Sequence, residues 1–119
     1  FCAYMIFDFT FNDALALVSL IAESENLPLP RFRLSPRRGW AHPGHISVPR
    51  GALKEHEAYA VYYVCHEMAH LVEYKDGFLH TDHGENFKQT EQRICSKFGV
   101  TIKGYRNNGP YPEVDQVAY

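Results

Sequence analysis

The sequence predicts an α+β domain of three helices and a small sheet, and three observations carry that expectation. Apolar residues recur at helical spacing in three stretches, 10–26, 53–75 and 85–98. Between the first two, residues 31–49 alternate short extended runs with Pro and Gly. The length of 119 residues fits one domain, 1–119, and a chain of this size buries roughly two thirds of its unfolded surface, enough for a single core.

Helix one opens at Thr10-Phe11-Asn12-Asp13, a hydroxyl cap followed by an acid in the first turn. Leu15, Val18, Ile21 and Ala22 extend its apolar stripe to about Asn26, where Leu27-Pro28-Leu29-Pro30 stops it. Phe32 to Leu34 and His45 to Val48 read as strands, with Pro36 and Arg38-Gly39 as turn signals and a further strand near Trp40. The central helix runs from about Leu53 to Lys75, with Ala60, Val61, Val64, Met68, Leu71 and Val72 on one stripe. Asp76-Gly77 ends it. After a loop to His83-Gly84, a third helix from Glu85 to Phe98 carries Phe87, Ile94, Cys95 and Phe98 on one face, and Gly99 closes it. Val100 to Ile102 makes a last short strand, and from about 103 the tail is expected to be loop-like. There is no internal repeat.

Composition removes several classes. A hydrophobic share of 45% with eight Phe and eight Tyr is globular rather than disordered. No apolar run reaches the roughly eighteen residues of a membrane span, so no membrane partner is expected. The net charge of −2 argues against a surface that coats nucleic acid throughout. A local basic cluster remains: Arg31, Arg33, Arg37, Arg38 and Arg50. Three cysteines without a Cys-x-x-Cys spacing point to a reducing compartment, and the opening 1–11 lacks the basic start and cleavage site of a signal peptide. An intracellular (cytoplasmic) protein is the expectation.

The chemistry concentrates at His66-Glu67-Met68-Ala69-His70. Helical residues four apart lie one turn above each other, so His66 and His70 can reach one metal ion. Glu67, beside the first of them, leans over the open coordination position, where a carboxylate can act as general base toward water. A catalytic zinc needs a third protein ligand, and the candidates are Asp76, His80, Asp82, His83, Glu85 and Glu91. His83 stands thirteen positions past His70, directly before Gly84, where a side chain can bend back toward the central helix.

The pattern His66-Glu67-x-x-His70, then twelve residues, then His83-Gly84-x-x-Phe87 resembles the SprT-like zinc metallopeptidases, the family that includes Spartan. The resemblance spans helix one through helix three. It implies a minimal zincin-like fold, Zn2+ held by His66, His70 and His83, and a protein or peptide substrate whose peptide bond is hydrolysed with Glu67 as general base. Many members carry a cysteine-rich zinc ribbon after the protease domain. This sequence shows none, and the digestion of DNA-crosslinked proteins by Spartan-type relatives relies on extra DNA-binding segments, so that role is not carried over. The metzincin pattern needs Gly at 73 and His at 76, where this chain has Glu73 and Asp76.

The alternative is a non-catalytic, zinc-stabilised protein- or DNA-binding module, with DNA association through the Arg31–Arg50 region compatible with either reading. His45 to Val48 is the expected exposed edge strand for a peptide substrate. Glu91, on the apolar stripe of helix three, either orients a histidine ligand or pairs with a nearby cation. Cys65 reads as core, Tyr59 and Tyr63 as packing or cleft lining, His80 as a solvent residue, and Tyr105 and Arg106 as candidates for oxyanion stabilisation.

Overall fold

Thr10 satisfies the start of the first helix from both sides. Its hydroxyl accepts from the Asp13 amide at 3.1 Å, and the Asp13 carboxylate accepts from the Thr10 amide at 2.9 Å, closing two donors that a helix start leaves open. The computed structural model describes residues 9–54, 57–78, 82–104 and 113–116. In it this helix, α1, spans Phe11–Ser24 and buries Ala14, Leu17, Val18, Ile21 and Ala22. Asn26 follows at φ 55, a left-handed turn that Asn tolerates better than most residues.

Three strands follow: β1 (Arg31–Ser35), β2 (Trp40–His42) and β3 (His45–Pro49). The sheet order is β1-β3-β2, with β3 parallel to β1 and antiparallel to β2. Gly44, at φ 79, makes the tight reversal between β2 and β3 that its missing Cβ allows. The expectation that His45 to Val48 forms an exposed edge is therefore corrected. The segment is the central strand, paired on both sides, and Ile46, Ser47 and Val48 are fully buried. Alternation marks a strand, but its neighbours are set by contacts distant in sequence. The edges are β1 and β2.

A 3-10 turn at Arg50–Lys54 leads toward α2, Glu57–Lys75. Leu53, expected at the start of the central helix, lies in that turn. The burial of α2 is also wider than one stripe. Tyr62 to Glu73 are all buried, because α1, the sheet and α3 surround the helix. Gly77, at φ 101, turns the chain out of α2. Next, α3 spans Glu85–Lys97 and buries Phe87, Glu91, Ile94 and Cys95.

After Gly99, at φ 86, strand β4 (Val100–Gly104) pairs antiparallel with β5 (Glu113–Gln116). The expected loop-like tail thus holds a strand. Four residues with a single apolar member, Val114, carry too little alternation to announce one. Residues 105–112 lie outside the described residues.

Among the described residues the architecture is a small α+β domain of three helices, a three-stranded mixed sheet and a two-stranded ribbon. Tyr62, Phe87, Ile21, Ile46 and Met68 are the largest side chains removed from solvent, each stabilising the fold by about 2 kcal/mol. Among the described residues, no helix is long and apolar enough to cross a membrane.

Candidate metal centre

The middle of α2 turns two histidines toward α3. His66 and His70 are 9% and 8% exposed, with ring centroids 5.1 Å apart. The third ring comes from the turn before α3. There the Asp82 carboxylate accepts from the Gly84 amide at 2.9 Å, a local turn that delivers His83 onto the helix. Nε2 of His83 lies 3.2 Å from Nε2 of His70. One ligand atom from each of His66, His70 and His83 falls within 4.8 Å of the others. Phe87, one turn into α3, stacks on His70 with centroids 4.3 Å apart and closes the apolar side.

One of the three rings, His66, is also oriented from behind. His66 Nδ1 sits 2.5 Å from Glu91 Oε2 and 3.2 Å from the Tyr62 hydroxyl. With Nδ1–H donated to the carboxylate, the lone pair of Nε2 is left for the cluster. Glu91 has no solvent exposure, so of its two sequence readings the one that orients a histidine is the one observed. Burial drives His70 well below the ordinary histidine range, to about 3, with the charges of His66 and His83 adding to it. His83 is lowered by burial and then by His66, against the opposing pull of Glu91 and Asp82. Both rings are neutral near pH 7, the form that binds metals.

Glu67 is 5% exposed. Burial raises its carboxyl to about 7, with His66 lowering it and Glu91 adding to the rise. Its neighbour across the cleft is Gly39. A Cβ there would stand 2.5 Å from Glu67 Oε2 and 2.9 Å from the Ser47 carbonyl oxygen, so only glycine lets the chain entering β2 pass so close to the carboxylate.

The donors fit a metal ion. Two nitrogens on one tetrahedral ion, with bonds of about 2.05 Å, lie about 3.3 Å apart, close to the 3.2 Å between His70 and His83. Neutral imidazoles suit several first-row divalent ions. Three histidines can therefore hold a metal here, and the geometry does not select which one.

His66, His70 and His83 come together, with Glu67 beside them on the same helix. Asp76, Asp82 and Glu85 are exposed and outside the cluster. Cys65 is core, fully buried, and Tyr63 is buried at 6% exposure. Arg31, Arg33, Arg37, Arg38 and Arg50 are all exposed. His80, Tyr105, Arg106 and Cys2 lie outside the described residues. Two contributors escaped the sequence reading, Tyr62 and Gly39. The first had a usable signal, since it stands four residues before His66.

No family model, curated protein or solved structure matches the chain. The likeness to SprT-like proteins accordingly rests on the paired histidine motifs alone.

Proposed function

We propose that this chain is a zinc-dependent peptidase of the SprT-like, zincin-like type. One observation carries the reading: a buried carboxylate, Glu67, stands next to a three-histidine cluster whose third member, His83, is solvent-exposed. Structural zinc sites normally close the fourth position with another Cys or His, whereas catalytic sites use three protein ligands and leave the fourth open. Among the described residues the cluster has three members.

When bound, zinc supplies a Lewis acid that polarises the scissile carbonyl and acidifies water. The chain's own residues account for the rest. Glu67 takes a proton from the attacking water and returns it to the leaving nitrogen. Glu91 holds the His66 ring in place. Gly39 brings edge strand β2 against Glu67, so the outer edge of β2, rather than the central strand β3, is where an extended peptide would lie.

Replacing Glu67 with Gln keeps the size and removes the base. Zinc content and melting temperature should stay nearly constant, while cleavage of an unfolded protein falls at least roughly 100-fold. If the unaltered, zinc-loaded chain cuts none of a broad panel of unfolded and DNA-bound proteins, the site belongs to a binding module, with the exposed arginines as its nucleic-acid face.

A further inference from the structure

A second concavity lies at the N-terminal end of α2, apart from the histidines. Its volume is about 370 Å3, and its walls include Pro36, Arg37, Pro49, Gly51, Tyr59 and Tyr63. We propose that this cavity is a substrate subsite for a carboxylate, supplied by an acidic side chain or by the C-terminus of the peptide. The proposal rests on the peptidase reading for its substrate.

Position is the first argument. Tyr63 and Tyr59 precede Glu67 by four and eight residues on α2, which places them on the same side of the helix, about 6 and 12 Å back along its axis. The opposite wall, Pro36 and Arg37, belongs to the turn that continues through Gly39, the residue pressed against Glu67. Helix wall and turn wall therefore converge on the proposed base. An extended peptide advances about 3.3 Å per residue, so a group two to four residues from the cleaved bond arrives at the cavity.

Chemistry is the second. Among the described residues Arg37 is the only charged one in the lining, and none of the others is a carboxylate. Arg37 makes no ion pair among the described residues. A planar guanidinium is shaped to grip a carboxylate through two parallel hydrogen bonds. Tyr59 and Tyr63, with ring centroids 5.5 Å apart, give the methylene stem of such a group an aromatic wall. Exposed Arg50 adjoins Gly51 in the chain and adds a second positive charge to this segment.

The test uses zinc-loaded protein carrying Glu67→Gln, which holds peptides without cutting them, and measures fluorescence anisotropy with matched labelled peptides. One set moves a single Glu or Gln along an otherwise neutral sequence, and a second compares free-acid with amidated C-termini. Binding about tenfold tighter for the carboxylate member at one position, or at the terminus, is expected. The two sets separate the two sources. In an Arg37→Gln background the Glu-to-Gln or acid-to-amide ratio should fall to about one. Gly51→Leu gives an independent check. A Cβ at Gly51 meets no heavy atom within 4 Å, so the added side chain can fill the cavity and should weaken the carboxylate peptide. Equal affinity of both members everywhere, no binding by any acidic peptide, or a preference that survives Arg37→Gln would overturn the subsite. Cleavage by the unaltered protein reports separately on the peptidase reading. Cutting without a carboxylate preference leaves that reading intact and removes the subsite, while a preference without cutting does the reverse.

Discussion

At the scale of single residues, Glu91 shows how a core position serves the site. A carboxylate with no solvent exposure is costly unless it is paired, and Glu91 is paired with His66 Nδ1 at 2.5 Å. Its charge makes the ring a better donor to a metal and fixes the direction in which Nε2 points. Glu91→Gln keeps the shape and drops the charge. Zinc affinity, measured by competition with a chromophoric chelator, should fall about 10- to 100-fold, and an unchanged affinity would reduce Glu91 to a packing residue. This role was legible in the sequence, because a helix's own period puts Glu91 on the stripe of Phe87, Ile94 and Cys95. Gly39 was not. What demands glycine there is the Ser47 backbone carbonyl, with the Glu67 carboxylate beside it, both brought close only by the fold. Tyr62 lies between. Its spacing to His66 signals the contact, yet Tyr59 and Tyr63 nearby are the same residue type and turn the same signal into three candidates.

Elements are tied together at their ends. Glu25 caps the C-terminus of α1 and reaches α3, where it accepts two hydrogen bonds from Arg93 at 2.8 Å and one from Lys97 at 2.9 Å. The Arg93 hydrogen bonds, with smaller help from Lys97 and against the cost of burial, hold the Glu25 carboxyl at about 2, below its ordinary 4.5. A depressed acid stabilises the fold above its unfolded value, and that stability is lost as pH falls through the folded one. Glu25→Gln should therefore lower the melting temperature at pH 7, and the gap to the unaltered chain should close between about pH 4.5 and pH 2. Arg93 and Lys97 are 50% and 42% exposed, so solvent screening limits the contribution to about 1 kcal/mol. A gap that stays constant through that window would contradict the assignment. The ends of α1 and α3 were readable because caps and glycines are local chemistry. The centrality of β3, the all-round burial of α2 and the strand at Glu113–Gln116 depend on partners far away in the chain, which local pattern does not name.

For the whole molecule, the histidine cluster joins two elements, since α2 supplies His66 and His70 while His83 stands at the entrance to α3. An ion held by all three would bind only the folded arrangement, so binding and folding are linked. Arg31, Arg33, Arg37, Arg38 and Arg50 are all exposed, on the sheet and its adjoining turns. The histidine cluster was legible in part. Helical spacing named His66 and His70 outright, but it left six candidates for the third, among which the turn at Gly84 and the motif resemblance preferred His83. On the proposed reading these three rings hold one zinc ion. The most direct test is the zinc-to-protein ratio by elemental analysis, after the metal-free chain is saturated with zinc and dialysed. The expected result is one zinc per unaltered chain and a sharp loss in His66→Ala, His70→Ala and His83→Ala alike. A chain that retains no zinc, or a His83→Ala variant that retains it fully, would contradict the account.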